Sequence, residues 1–228
     1  MFDLLEKAVE RGRDLGAAYI ELRGESGFIE YIQMDDLRVN ALTQRIEQGV
    51  AVRVLADGAW GFVSTGDLGS LDSAVENAYR MAKAAAPTRR EPIVLSDLKA
   101  VHDVEKIKVS RDPRHVPIEE KIGYMESMTK VIKGYDPRIT AVTVKVRSAS
   151  GKKYLATSDG TRIQSDVMLV WSYPWVTGKE GDRLSAARHE EASTTRGWEY
   201  LEDFATPEFM GEEVARRVKL QLGGTPPK

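Results

Sequence analysis

The stretch from Gly49 to Thr65 constrains the fold of this chain more than any other. Gly49-Val50-Ala51-Val52-Arg53-Val54-Leu55-Ala56 and Ala59-Trp60-Gly61-Phe62-Val63-Ser64-Thr65 are two strand-like runs joined by Asp57-Gly58. Asp-Gly tolerates positive φ at both central positions of a type I′ turn, so the segment reads as a tight antiparallel hairpin.

Helices and further strands are expected on both sides of it. Leu4, Leu5, Ala8, Val9, Gly12, Leu15 and Gly16 form one stripe at helical spacing. Alternation over residues 18–23 and then 28–33 predicts a long region of strand character, Asp35-Asp36 a turn, and Leu37, Val39 and Ala41 a following strand. Ser70 reads as the N-cap of a helix carrying Leu71, Ala74, Val75, Ala78, Ala82 and Ala85, stopped by Pro87. Residues 88–113 are charged and weakly periodic, and read as a linker with a short strand at Ile93-Val94-Leu95.

A second cycle follows. Pro117 suits a first helical position, and Ile118, Ile122, Met125, Thr129 and Ile132 recur at helical spacing until Gly134. Strands are expected at 139–147, 152–157, 162–171 and 173–177, with Asp159-Gly160 as a hairpin turn. Thr206-Pro207 opens a last helix with Met210, Val214, Ala215, Val218 and Leu222 on one face and Gly223-Gly224 beyond it. The expected class is α+β: two helix–antiparallel strands–helix units, with a structural pseudo-repeat between them. The expected domains are residues 1–87 and 114–222, a linker at 88–113 and a tail at 223–228.

Composition narrows the chemistry. With 42% hydrophobic and 30% charged residues in 228, the chain has apolar material for a real core, which argues against disorder. No apolar run approaches the ~18 residues of a membrane span. The acidic start Met1-Phe2-Asp3-Leu4-Leu5-Glu6 lacks the pattern of a signal peptide, so a cytoplasmic location is expected. There are no cysteines and only three histidines, His102, His115 and His189, which removes disulfides, thiolate nucleophiles and thiol-ligated metals. No metal ligand set and no catalytic residue emerges. His189-Glu190-Glu191 opens like a zinc-peptidase helix, but Ser193 and Thr194 stand where a second imidazole is required. That segment reads as a solvated strand end or loop, and His102 and His115 as surface residues.

Gly58, Gly61 and Gly66 read as turn and close-packing glycines rather than a phosphate cradle. A net charge of −2, from 33 basic and 35 acidic residues, leaves nucleic acid and membranes outside the expected partners. Arg89-Arg90, Lys152-Lys153 and Arg216-Arg217 each have acids nearby, the second pair beside a turn expected at 148–151. Trp171, Tyr173, Pro174 and Trp175 form an aromatic knot suited to core or interface packing, with peptide binding as the sharper alternative.

The hairpin segment closely resembles the signature of the TldD/PmbA family, which reads Gly-Val-Gly-Val-Arg-Val, a short Asp-Gly turn, then Gly-Phe-Ala-Ser-Thr. Ala51 and Val63 are the departures here. Supporting likenesses are Gly16-Ala17-Ala18-Tyr19, Ile118-Glu119-Glu120-Lys121-Ile122, Ser158-Asp159-Gly160 and Arg196-Gly197-Trp198-Glu199, and Trp60 leans toward the TldD branch. The resemblance implies metallopeptidases acting on unfolded or flexible peptides, an older label as modulators of DNA gyrase, and dimers of one chain or of two paralogues. It also implies a divalent metal, zinc or iron, in a C-terminal half that this sequence does not reach. Arg53, Asp57, Gly58, Trp60, Gly61, Ser158, Asp159 and Gly160 carry over as structural signature positions. No cofactor is expected in this chain, and Trp171, Tyr173 and Trp175 are the expected interface. Two readings stay open: the non-catalytic N-terminal half of a metallopeptidase, or a stand-alone binding module without peptidase activity.

Overall fold

The computed structural model describes residues 1–189 and 192–224. Glu190, Glu191 and residues 225–228 of the expected tail lie outside them. The first stripe folds as helix α1 (Phe2–Asp14), burying Leu5, Ala8, Val9 and Gly12. Strand β1 (Tyr19–Asp35) follows as one continuous element over the expected region of strand character. Its buried positions keep to even numbers on both sides of residues 25–29, and burial weakens only there.

Strand β2 (Arg38–Ala56) is likewise single and runs into the expected hairpin. Leu37, expected in a strand, instead shares a two-residue turn with Asp36; their φ angles are 68° and 45°. The Asp36 backbone pins this turn, its N–H donating to Val142 O at 2.9 Å while its carboxylate accepts from Val142 N–H at 3.0 Å. Strand β3 (Ala59–Thr65) pairs antiparallel with β2, Ala56 opposite Ala59 and Val50 opposite Thr65. Asp57 and Gly58 have φ of 48° and 73°, as a type I′ turn requires.

Helix α2 (Leu71–Ala85) buries the expected stripe from Leu71 to Ala82, with Ala85 only half-buried, and the Ser70 side chain makes no cap bond. A 3₁₀ turn precedes the helix instead, capped by Asp67, whose Oδ1 accepts from Gly69 N–H at 2.9 Å. In the linker no strand forms at Ile93–Leu95; strand β4 (His102–Glu105) forms later and runs parallel to β6 (Arg162–Glu180). Val94 is 85% exposed, so apolar character there found nothing to pack on.

Helix α3 (Ile118–Tyr135) takes Pro117 as its N-cap rather than its first residue, and Gly134 lies inside it. Strand β5 (Ile139–Thr157) is continuous through 148–151, so no turn separates two strands there, and β6 likewise spans two expected strands. Strands β7 (Arg183–Arg188) and β8 (Ser193–Thr194) pair antiparallel with β6, and a short helix α4 (Glu199–Asp203) precedes α5 (Pro207–Leu222). Thr206 caps α5, its Oγ1 accepting from Phe209 N–H at 3.2 Å.

Two compact units result, each assembled from three stretches of chain. The first comprises Met1–Gly27, Ile46–Lys106 and Gly151–Val167; the second Phe28–Arg45, Ile107–Ser150 and Met168–Lys228. The strand order through the sheet is β3-β2-β1-β5-β6-β4. The first unit's core joins Leu5, Val9, Ile20, Val52, Val54 and Val75. The second joins Met125, Met128, Ile132, Val144, Val214 and Val218. No helix among the described residues is long and apolar enough to cross a membrane.

Candidate functional site

The β2–β3 hairpin turns two different faces outward and inward. Inward lie Val52, Val54 and Gly61. A Cβ on Gly61 would stand 2.8 Å from both Ala78 C and Ala82 N, so α2 rests directly on the strand because residue 61 has no side chain. On the other face the Arg53 guanidinium lies 3.9 Å from the centre of the Trp60 ring, a cation–π stack. Trp60 meets Tyr19 edge to face at 6.0 Å. Glu21 gathers this group: its carboxylate is 3.5 Å from Arg53 and 3.3 Å from Arg23, and it accepts from the Tyr19 hydroxyl at 3.2 Å. Burial, then the Glu21 charge, pushes the Tyr19 phenol up to about 12.

The turns do other work. Asp57 is ion-paired with Lys83, and Gly58 O accepts from Ile93 N–H at 2.9 Å. Ser158 Oγ accepts from Ile20 N–H at 3.0 Å. The Asp159 carboxylate accepts from Thr157 Oγ1 and from Thr161 N–H, bonds that hold it below the usual carboxylate range. Gly160 has φ of 94°, and its carbonyl bonds His102 Nε2 at 2.9 Å. All eight signature positions fall in the first unit. Beside them a cavity of about 230 Å³ is lined by Glu6, Glu10, Arg13, His102, Thr161 and Arg162, with Arg162 paired to Glu6 at 3.1 Å and Arg13 to Glu10.

The expected interface aromatics lie in the second unit on alternate residues of β6. Trp171 stacks on Tyr173 at 5.1 Å and Tyr173 meets Trp175 at 6.3 Å. Tyr173 is buried and Trp175 is 42% exposed. Lys145 lies over Tyr173 and Arg188 over Trp175, at 5.7 and 6.0 Å.

Two features of the second unit escape sequence reading. Lys121 and Glu30 form an ion pair with both side chains 2% exposed; Gln44 donates to Glu30 at 2.7 Å, and Trp198 lies 5.9 Å from the ammonium. A lysine on an amphipathic helix reads as solvated, so only its Glu-Glu-Lys context marked the position. Nearby, Glu199 accepts backbone N–H groups of Ser110, Arg111 and Gly197, while Arg111 bridges Glu120 and Glu202. His102 and His115 are exposed as expected, but His189 is buried at 5% and packs edge-on against Phe209, so the expected solvated segment does not hold there. Among the described residues no group of three or more His, Cys, Asp or Glu side chains could hold a metal ion.

Fold and site together define an α+β protein whose distinctive residues set turns, close contacts and stacked surfaces. Residues 20–82 match the family description PmbA/TldA metallopeptidase domain 1, and residues 111–222 match the PmbA/TldA metallopeptidase central domain. The chain belongs to this TldD/PmbA family. A metalloprotease of Methanocaldococcus jannaschii is 29% identical over 186 residues, covering 79% of this chain and 39% of the relative. One from Synechocystis is 25% identical over 191 residues, covering 82% and 40%. The chain thus spans well under half the length of these curated relatives. A solved protein of Bacteroides thetaiotaomicron, named for modulation of DNA gyrase, superposes with a TM-score of 0.74 at 19% identity, over 100% of this chain and 51% of the other. TldE of Thermococcus kodakarensis gives 0.71 at 14% identity, over 95% and 47%. These likenesses establish the shared fold.

Proposed function

We propose that this chain supplies the non-catalytic part of a TldD/PmbA-type metallopeptidase acting on unfolded or flexible peptides, shaping substrate access and assembly. One observation carries the reading: the chain matches the family's first and central domains, while relatives named metalloproteases extend to more than twice the matched length. The metal, zinc or iron, then belongs to sequence outside this chain. The test is metal analysis after dialysis, with hydrolysis of a fluorogenic flexible peptide, on the chain alone and joined to the remaining family domain. The chain alone should hold well under one ion and cleave nothing, whereas the joined protein should hold the metal and cleave the peptide. One tightly held ion and cleavage by the chain alone would refute the assignment.

Assembly runs through the β6 aromatics in this reading. Trp175 is 42% exposed beside a stacked Trp171–Tyr173 pair, and stacked aromatics with partial exposure suit a protein interface. Light scattering at roughly 100 μM, above the micromolar affinities of modest interfaces, should show a dimer. Trp171→Ser or Trp175→Ser should weaken it, and a clean monomer from the parent chain would remove this role. The two helix–strands–helix halves of the sequence are proposed to be structural repeats, which superposition of one half on the other tests; unrelated strand orders would end that idea.

A further inference from the structure

The first residues of β6 have their sheet edge closed by β4, with His102, Asp103, Val104 and Glu105 opposite Arg162, Ile163, Gln164 and Ser165 in parallel. All four β4 residues are exposed, so the strand adds little to the apolar core. Main-chain bonding holds it, helped by one side-chain acceptor. Arg162 N–H donates to Val101 O at 2.7 Å and Val101 N–H to Thr161 Oγ1 at 3.3 Å. In a parallel ladder this pattern turns the main-chain groups of residues 101, 103 and 105 toward β6. On the outer side, the Asp103 carboxylate accepts from Val104 N–H at 2.8 Å, which blunts the free edge of β4 itself.

The segment leading to β4 is exposed almost throughout, with Leu98 at 78%. It is pinned at its start by Ile93 N–H on Gly58 O, and at its end by His102 on Gly160 O. The Asp57-Gly58 and Ser158-Asp159-Gly160 turns thus anchor two ends of one strap. Two specific anchors are spent on a segment that buries almost nothing, so what they fix is the placement of its main chain. A short parallel strand with exposed side chains also opens at small cost.

We propose that the β6 edge at Arg162–Ser165 is a strand-accepting site, closed in cis by residues 101–105, whose external ligand is an extended polypeptide bound parallel to β6 through its main chain. Main-chain bonds supply the affinity of such an added strand and side chains only its selectivity. The tethered strap competes at an effective concentration in the millimolar range, so release of the strap opens the site. This binding needs no metal and no hydrolysis, so it stands or falls separately from the peptidase reading.

The probe is a fluorescein-labelled peptide with the sequence of residues 100–106, titrated by anisotropy against the full chain. Asp103→Pro removes the N–H that residue 103 directs at β6 and frees the edge; Asp103→Ala leaves the main chain intact. Asp103→Pro should bind the probe at least about tenfold tighter than the parent or Asp103→Ala, the tethered competitor being gone. A probe with threonine at both valine positions should bind within about threefold, and one with proline in place of its aspartate should not bind. Equal affinity of Asp103→Pro and parent overturns the proposal. Hydrogen exchange on the parent decides independently of how the proline variant folds. Amides of Asp103 and Gln164 should exchange at least about 100-fold faster than those of Val52 and Val54 through local opening. Exchange of all four at one slow rate overturns it equally.

Discussion

Replacing Gly61 by alanine introduces one methyl group at the closest approach between a strand and a helix in the first unit. The new Cβ would lie 2.8 Å from the Ala78 carbonyl carbon and the Ala82 nitrogen. Comfortable carbon contacts need ~3.5–4.0 Å, and the Ala78 carbonyl oxygen lies nearer still and would overlap the new methyl outright, so α2 must retreat by more than about 1 Å. The obstacle is helix backbone, which has no rotamer to change. The whole helix must therefore shift, and with it the buried Leu71, Ala74, Val75, Ala78 and Ala82. Overpacking of side chains costs about 1–3 kcal/mol and more when backbone must move, so a loss of about 3–5 kcal/mol is expected. For a chain of this size each kcal/mol lowers the melting temperature by about 2–4 °C, so calorimetry should register a drop of roughly 6–20 °C. Gly123→Ala is the matched control. Gly123 sits inside α3 with nothing within 4 Å of a built Cβ. There alanine should stabilise by about 0.5–1 kcal/mol, because glycine is the poorer helix former. If Gly61→Ala melts within about 2 °C of the parent, the close-packing account of this signature glycine is wrong.

Three further outcomes are expected. Glu213 is held down to about 2, from an ordinary 4.5, by hydrogen bonds from Arg216 and then Arg217. It therefore contributes stability that is complete above pH 4.5 and lost as pH falls toward 2; Glu213→Gln should flatten that acid limb in urea midpoints measured against pH. Lys121→Met leaves the Glu30 carboxylate buried without its cation and should cost about 3–5 kcal/mol in denaturant unfolding, with Glu30→Leu added to Lys121→Met recovering most of it. Gly58→Val places a β-branched residue at φ 73° with its Cβ 2.5 Å from Pro92 Cβ, and should cost about 1–3 kcal/mol by thermal melting.

Local chemistry made the turns and helices legible in the sequence. Asp57-Gly58 specifies its turn through the φ angles it tolerates, and the α1, α2 and α5 stripes are set by burial at helical spacing. Strand lengths were only partly legible, because alternation fades at Ser148–Lys153 although β5 continues. At Gly151 a Cβ would stand 2.5 Å from Gly27 Cα: two backbones approach there, and no hydrophobic pattern records it. The linker strand was misplaced for a related reason. Ile93-Val94-Leu95 has the better strand composition, yet pairing went to His102–Glu105, where register with β6 and the Gly160 turn supply main-chain partners. The eight signature positions were recognisable as a set, but their division between stacking (Arg53, Trp60) and close approach (Gly58, Gly61) depends on which strand face each occupies. The buried Lys121 has no signature in hydropathy, since its partner Glu30 is 91 residues away.

The interleaving of the two units also sets a timetable for synthesis. The Asp36 turn closes on Val142, 106 residues later in the chain. At roughly 5–20 residues per second, the ribosome needs about 5–20 s to deliver that partner after Asp36 emerges. Over that interval the finished hairpin of β1 and β2 presents an unpaired β1 edge, and neither unit has all its strands. Contacts this distant in sequence slow folding through the entropy of closing long loops. Translation speed therefore governs how long the nascent chain remains open to mispairing.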